Sequence, residues 1–370
     1  MLRHGQLHWL TLLTIPILAF YGCATFNPRP IDEVPFRERA QTQAENNVWV
    51  TAAVLSAEES EAVFGVPLYK KGIQPIWLEI DNKDEEPVWF LPVGLDPEYF
   101  APLEVAYMHR FTFSKKANHR MEKYFNEQAM GQYIAPGSVR TGFVFTNLDM
   151  GSKAFNVDLV GEDHQVRTFT FFIPVPGLRV THHDVDWDNL YAKNEILTYD
   201  EEGLRKALES LPCCTTNQDG TKKGDPLNVV FIGKDEDLHY ALIASGWDET
   251  ESAKTFHAMK QRPSSVIRRQ DRYAPVSPFY LFRRPQDAAF RKTRENARER
   301  NQLRLWLNPM TFEGKLVWIG QISREVRVRS LLKRRKIEPD LDEARTYIFQ
   351  DFLYSQGLAK YGYVKGVGAA

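Results

Sequence analysis

The chain has 370 residues, 26% charged and 43% apolar, with a formal net charge of −1. That apolar content excludes a disordered chain, and a mean hydropathy of −0.41 excludes a polytopic membrane protein. Three cysteines are too few for a disulfide scaffold, and the length suggests two or three domains, each able to bury a core.

The N-terminus reads as an export signal over residues 1–22. Arg3 is its only formal charge, ahead of an apolar run from Trp9 to Tyr21 broken by two threonines and Pro16. The run is shorter than the ~20 apolar residues of a membrane-spanning helix and fits the apolar segment of a secretory signal. Ala19-Phe20-Tyr21-Gly22-Cys23 resembles the bacterial lipobox, with Phe20 where leucine is usual. The resemblance implies cleavage before Cys23, lipidation of that cysteine (palmitate included), and residues 23–47 as a lipidated tether. Ala24 in place of aspartate implies sorting to the outer membrane of a Gram-negative envelope, facing the periplasm. A secreted or inner-membrane-anchored protein is the alternative. Each buried CH₂ of such an anchor contributes ~0.8 kcal/mol.

Residues 48–178 read as an all-β domain. Val48–Leu55, Ile76–Ile80, Val88–Leu91, Gly142–Phe145, Ala154–Val160 and Thr168–Ile173 are rich in strand formers. In the fifth run Phe155, Val157 and Leu159 alternate with Asn156 and Asp158, giving one buried and one wet face. Strands punctuated by Gly, Pro and Asn indicate an antiparallel, Ig-like sandwich with a helical insertion near Ser114–Met130. His109, His119 and His164 have no ligand spacing and read as surface residues.

Residues 179–224 read as a linker with one helix and a Cys-Cys loop. Asp184, Asp186 and Asp188 alternate as at the start of a calcium loop, and Glu195 falls where a bidentate ligand would sit. Asn189 replaces the usual glycine, so an acidic solvated linker is the preferred reading. Adjacent His182 and His183 have the donor type for zinc, but neighbouring histidines rarely face one ion. Thr198-Tyr199-Asp200-Glu201 has capping-box form ahead of Leu204, Leu208 and Leu211 at helical spacing. Cys213 and Cys214 are candidates for a structural vicinal disulfide; the alternatives are buried thiols or pairing between molecules.

Residues 225–366 read as an α+β domain with an antiparallel-dominated sheet. Asn228–Ile232 is a compact strand leading into a helix with Leu238, Ala241 and Leu242 on one face. A second helical stretch, Glu251–Arg262, follows. Strands are then expected at Phe279–Phe282, Ala288–Lys292, Gln302–Leu307, Leu316–Val328 and Tyr361–Val364, with a turn at Glu313-Gly314. Asp340 and Glu343 cap a last helix that buries Ala344, Ile348 and Phe352. Residues 225–365 resemble the LssY C-terminal domain family. The likeness is carried by Pro275–Phe282, Gln286–Phe290, Leu303–Trp306, Val317–Gly320 and Glu338–Glu343. It implies an envelope setting, with a link to secretion suggested by the family name, and attaches no reaction to the domain.

Residues with chemical potential are few. There is no Gly-x-Ser-x-Gly elbow and no His-Glu-x-x-His helix. His239 and His257 read as surface histidines rather than bases. Asp287, Arg304, Trp306, Asp340, Asp342 and Arg345 are the candidate ligand-binding cluster, with Arg304 gripping an anion or sugar and Trp306 stacking on it. A helix cap, an ion pair and a core tryptophan are the simpler reading. No catalytic residue and no cofactor is assigned. The expected function is a non-catalytic envelope binding or assembly module, linked to secretion or envelope maintenance. The rival is a periplasmic hydrolase of phosphate- or glycan-containing substrates. Residues 260–336 hold 21 Lys and Arg against 6 Asp and Glu. That segregation suggests anionic lipid headgroups or envelope proteins as partners of the basic region, and not nucleic acid.

Overall fold

The computed structural model describes residues 26–252, 272–293, 299–327, 335–337, 341–355 and 357–365. They form a mixed structure of mostly antiparallel sheets with six α-helices. Cys23, His257 and Asp340 lie outside the described residues, as does most of the Glu251–Arg262 stretch.

Two four-stranded sheets build the N-terminal half. The first has the order β1 (Gln41–Glu45), β2 (Val48–Val54), β3 (Ile73–Asn82), β6 (Ser138–Asn147). The second runs β5 (Tyr133–Ile134), β4 (Val88–Leu91), β7 (Ser152–Val160), β8 (Val166–Pro174). Side chains alternate along each strand, so β3 sends Ile76, Leu78 and Ile80 into a core shared with Phe155, Val157 and Leu159 of β7. Its opposite face is also apolar, because that side is covered in turn. Trp77, Phe143 and Phe145 pack there against α1 (Ala57–Phe64), α2 (Pro102–Met108) and α3 (Lys115–Gln128). Ser56 and Glu59 close a reciprocal capping box that starts α1. The insertion expected at Ser114–Met130 is α3, capped by Ser114 and burying Ala117, Met121 and Phe125.

The segment read as a tether belongs to this half from residue 26 onward. Phe26, Val34 and Phe36 are buried in the helical core, and β1 pairs with β2 along its whole length. The polar composition that suggested a tether is explained by β1, an edge strand whose five residues are all exposed.

In the C-terminal half, a seven-stranded sheet centres on the long hairpin β17 (Glu299–Phe312) and β18 (Lys315–Arg327). Glu313 and Gly314, both at positive φ, turn it. Around the hairpin lie β12 (Val229–Gly233), β16 (Ala288–Thr293), β13 (Asp248–Glu249), β19 (Arg335–Ile337) and, parallel to β17, β9 (Leu197–Tyr199). One face packs Phe290, Leu303, Leu305, Trp318 and Ile322 against α5 (Asp235–Ala244) and α6 (Leu341–Tyr354). The other packs Trp306, Val317 and Ile319 against α4 (Glu201–Glu209) and Leu281. A small sheet, β11 (Lys223–Pro226), β10 (Cys214–Thr216), β14 (Tyr280–Leu281), β15 (Arg284–Pro285), lies beside this face. Residues 179–224 are therefore largely built into the C-terminal half through β9, α4, β10 and β11, and are not a free linker. Tyr361–Val364 is exposed and adds no strand.

Candidate functional site

The five described residues of the group read as a ligand site fall into separate places. Asp287 is 2% exposed and accepts Arg284 Nε at 3.0 Å, Arg284 Nη2 at 2.7 Å and the Leu307 backbone N–H at 2.7 Å. Burial nevertheless holds its carboxyl above the ordinary range, with the Arg284 hydrogen bond pulling the other way. Arg304 is also buried. It donates to Gln321 Oε1 at 2.7 Å, Gln302 Oε1 at 3.0 Å and the Ser277 carbonyl at 3.1 Å, and lies over the Phe279 ring. Burial pushes its pKa down to about 10. Trp306 is fully buried core. Asp342, on the surface of α6, pairs with Arg345 one turn on at 3.1 Å. Asp340 lies outside the described residues. The described members thus serve internal packing or exposed pairing, and no common pocket joins them.

Nor do the alternating acids make a calcium loop. Asp184 accepts from Arg179 Nε at 2.6 Å and from the Ser252 hydroxyl. Asp186 accepts from Asn189 at 2.9 Å, Asp188 is exposed, and Glu195 caps its own turn through the Ala192 N–H at 2.7 Å. Two 3₁₀ turns, Thr181–Asp184 and Trp187–Asn189, replace the ion-binding loop. Cys213 and Cys214 are joined by a disulfide.

A different constellation does converge. Val180 bridges Glu251 antiparallel, and that register sets His182 opposite Glu249. The Ser252 N–H to the Arg179 carbonyl (2.8 Å) and the Thr181 N–H to the Thr250 carbonyl (3.3 Å) extend the pairing. His239, from the second turn of α5, comes over the same point: its ring centre is 4.9 Å from that of His182. One donor atom from each of His182, His239 and Glu249 lies within 4.8 Å of the others. His182 Nδ1 stands 3.2 Å from Glu249 Oε1. His239 and Glu249 are each 2% exposed. Phe290, Phe172 and Trp318 wall the cluster at ring distances of 5.3, 6.0 and 6.2 Å from His239. His239, expected on the surface, is buried because the helix places it on the face turned toward β16 and β8.

Bonding within the cluster is incomplete. His239 Nδ1 faces two acceptors, the Asp235 carbonyl at 3.0 Å and Asp235 Oδ1 at 3.1 Å, so Nδ1 carries the proton. Its Nε2 is buried with no hydrogen-bond partner among the described residues, and neither oxygen of Glu249 has a well-aligned donor. Burial is the main force on the titrations. It drives His182 down to about 3, aided by the neighbouring His239 and His183, and drives Glu249 up to about 7, with His239 and Ser152 pulling back. At His239 burial opposes the charged ring, yet Asp235 outweighs it and holds the pKa above the ordinary value. Gly151 makes the close approach possible: at φ +91°, its added Cβ would lie 2.6 Å from Glu249 Oε2.

Beside the cluster, the seam between the two halves holds a cavity of about 230 Å³. Asn156 and Asp149 line it from the N-terminal half, and Tyr240, Asp248, Glu249 and Arg272 from the C-terminal half. Arg272 Nε meets Asp248 at 2.5 Å, and Tyr240 Oη donates to Asn156 at 2.9 Å.

The sequence flagged only His182, as a zinc-type donor paired with the wrong partner His183; His239 and Glu249, 57 and a further 10 residues on, carry no motif that links them to it. One local signal existed: Asp235 and His239 stand four apart on a helix, the spacing that lets a carboxylate orient an imidazole. Compared with known proteins, residues 205–370 match the family model described as LssY C-terminus. No curated protein matches the chain.

Proposed function

We propose that this chain, which carries an LssY C-terminal domain over residues 205–370, is a cell-envelope lipoprotein acting as a non-catalytic binding or assembly module. The N-terminal half is read as an Ig-like sandwich that spaces or presents the domain. Two antiparallel sheets sharing one apolar core support that reading. Acylation at Cys23 would hold the assembly at the outer membrane, with the basic region 260–336 available to headgroups or envelope proteins.

One observation carries the preference for binding over hydrolysis. Asp287 and Arg304, the acid and the cation that a phosphate- or glycan-directed hydrolase would have drawn on, are buried and bonded to internal partners. A polar cavity lies elsewhere, at the seam, and neither Asp287 nor Arg304 lines it. Fractionation of cells expressing the Cys23→Ser variant tests the anchor: release from membranes is expected, and unchanged membrane association would refute it. Purified protein screened against generic phosphoester, ester and glycan substrates tests the rest. No turnover is expected, and turnover abolished by Asp287→Asn would establish the hydrolase instead.

A further inference from the structure

The binding role just proposed does not draw on His182 or His239, and Glu249 only borders the cavity that it invokes. The chemistry of the three together points elsewhere. Two imidazoles and a carboxylate buried together are a costly combination unless something positive lies between them. Among the described residues no Lys or Arg side chain supplies that charge through a bond to Glu249, and both of its oxygens lack an aligned donor. His239 Nε2 is the matching half of the puzzle. With Nδ1 committed as donor to Asp235, Nε2 of the neutral ring presents a lone pair into the same buried space, and in either protonation state it has no partner among the described residues.

We infer that His182, His239 and Glu249 bind one divalent ion of the zinc class, bracing the turn Thr181–Asp184 against α5 and β13 at the seam of the two halves. The spacing suits it. Zinc holds nitrogen and oxygen at ~2.0–2.2 Å in tetrahedral sites, so adjacent donors stand roughly 3.4 Å apart and two bound imidazole centres roughly 5 Å apart. The observed separations are 3.2 Å for His182 Nδ1 to Glu249 Oε1 and 4.9 Å for the ring centres. The outer partner is present too. Asp235 fixes the tautomer and orientation of His239, as carboxylates do for metal-bound histidines. The donor set of two nitrogens and one carboxylate oxygen excludes a soft-metal preference. Packing of Phe290, Phe172 and Trp318 around His239 favours a low coordination number, and hence zinc over a six-coordinate ferrous centre. Gly151 belongs to the same design, because any side chain there would push the Glu249 carboxylate off the point where the donors meet.

The test uses the purified full chain, stripped with a chelator, dialysed and titrated with zinc. One ion per chain is expected, with a melting temperature that rises with free zinc, and cobalt(II) in its place should give the intense visible absorption of a tetrahedral site. His239→Ala and Glu249→Gln should each weaken zinc binding at least about 100-fold, and Asp235→Asn about 10–100-fold. His183→Ala, which removes the neighbouring exposed imidazole, should leave it unchanged. Glu249→Gln also controls for folding: it keeps the side chain's shape and removes a buried charge, so in chelator it should melt no lower than the wild type. Absence of stoichiometric binding would overturn the inference. So would zinc binding that survives both His239→Ala and Glu249→Gln, or a chelated Glu249→Gln that melts below the chelated wild type. These measurements are independent of membrane attachment, so failure of the lipoprotein reading would leave them standing.

Discussion

Replacing Asp287 by alanine should lower the stability of the C-terminal half by about 3–5 kcal/mol, the range for breaking a buried ion pair by removing one partner. The figure follows from the contacts. The carboxylate is 3% exposed and accepts three hydrogen bonds, two from the Arg284 guanidinium and one from the Leu307 N–H. Hydrogen bonds involving a charged group contribute about 1.5–3 kcal/mol each, so simple addition of three would give about 4.5–9 kcal/mol, mostly above that range. Addition fails here because Arg284 keeps the Tyr191 hydroxyl and the Leu307 carbonyl as acceptors and is 19% exposed, which admits some water. Asp287→Asn retains an oxygen for the Leu307 N–H and should lose about half as much. Urea unfolding followed by tryptophan fluorescence reads the change, since Trp306 and Trp318 are both fully buried in this half. In the double variant Arg284→Ala/Asp287→Ala the loss should be less than the sum of the two singles by about 1–3 kcal/mol. A loss below about 1 kcal/mol for Asp287→Ala, with an additive double variant, would refute the reasoning and return Asp287 to the list of ligand-binding candidates.

Gly151→Ala should destabilise by about 2–4 kcal/mol, combining a left-handed backbone with a Cβ 2.6 Å from Glu249 Oε2 and 3.1 Å from Val180 Cγ1. A urea midpoint within error of the wild type would contradict it. Stability should also depend on pH through Asp248, whose carboxyl is raised from 3.8 to about 6, burial outweighing the Arg272 ion pair. A raised acid favours the folded state when protonated, so its contribution is complete below about pH 4 and is lost as pH climbs through 6. By the linkage relation that loss is about 3 kcal/mol. Asp248→Asn compared with the wild type between pH 4 and 7 should show a difference that grows in the variant's favour up to about pH 6 and then levels. A difference independent of pH would dispose of this account.

Much of the scaffold was legible because it follows local rules. The alternation of Phe155, Val157 and Leu159 appears as buried positions of β7, and Leu238, Ala241 and Leu242 are the buried face of α5. The capping box read at Thr198–Glu201 is displaced: Thr198 lies in β9, and Asp200 caps α4 through the Gly203 N–H. What escaped was whatever depends on a distant partner. Gln41–Glu45 carries no strand signal, since an exposed edge strand needs no apolar face; only its pairing with β2 makes it one. The polar run Asp248-Glu249-Thr250 looks solvated, yet all three residues are buried because the Arg179–Thr181 segment and β16 close over them. Arg304 reads as a ligand grip in sequence because its two glutamine partners lie on the same strand two residues back and on the neighbouring strand, a pairing fixed only by register.

Burial of arginine in the β16–β17 sheet bears on how the protein would meet a charged surface. Residues 260–336 carry an excess of fifteen positive charges on paper. Arg291, Arg300 and Arg304 are each 3% exposed, and Arg272, Arg284, Lys292 and Arg324 hold acids at 2.5–2.8 Å. A polybasic segment gains about 1 kcal/mol per cation that reaches an anionic bilayer. Side chains enclosed in the sheet cannot reach it, and those already holding a carboxylate bring little net charge with them. The described cations of this region would therefore add less to adhesion, and less to its sensitivity to ionic strength, than the tally along the chain implies. A firm hold on a membrane would then rest more on the lipid proposed at Cys23.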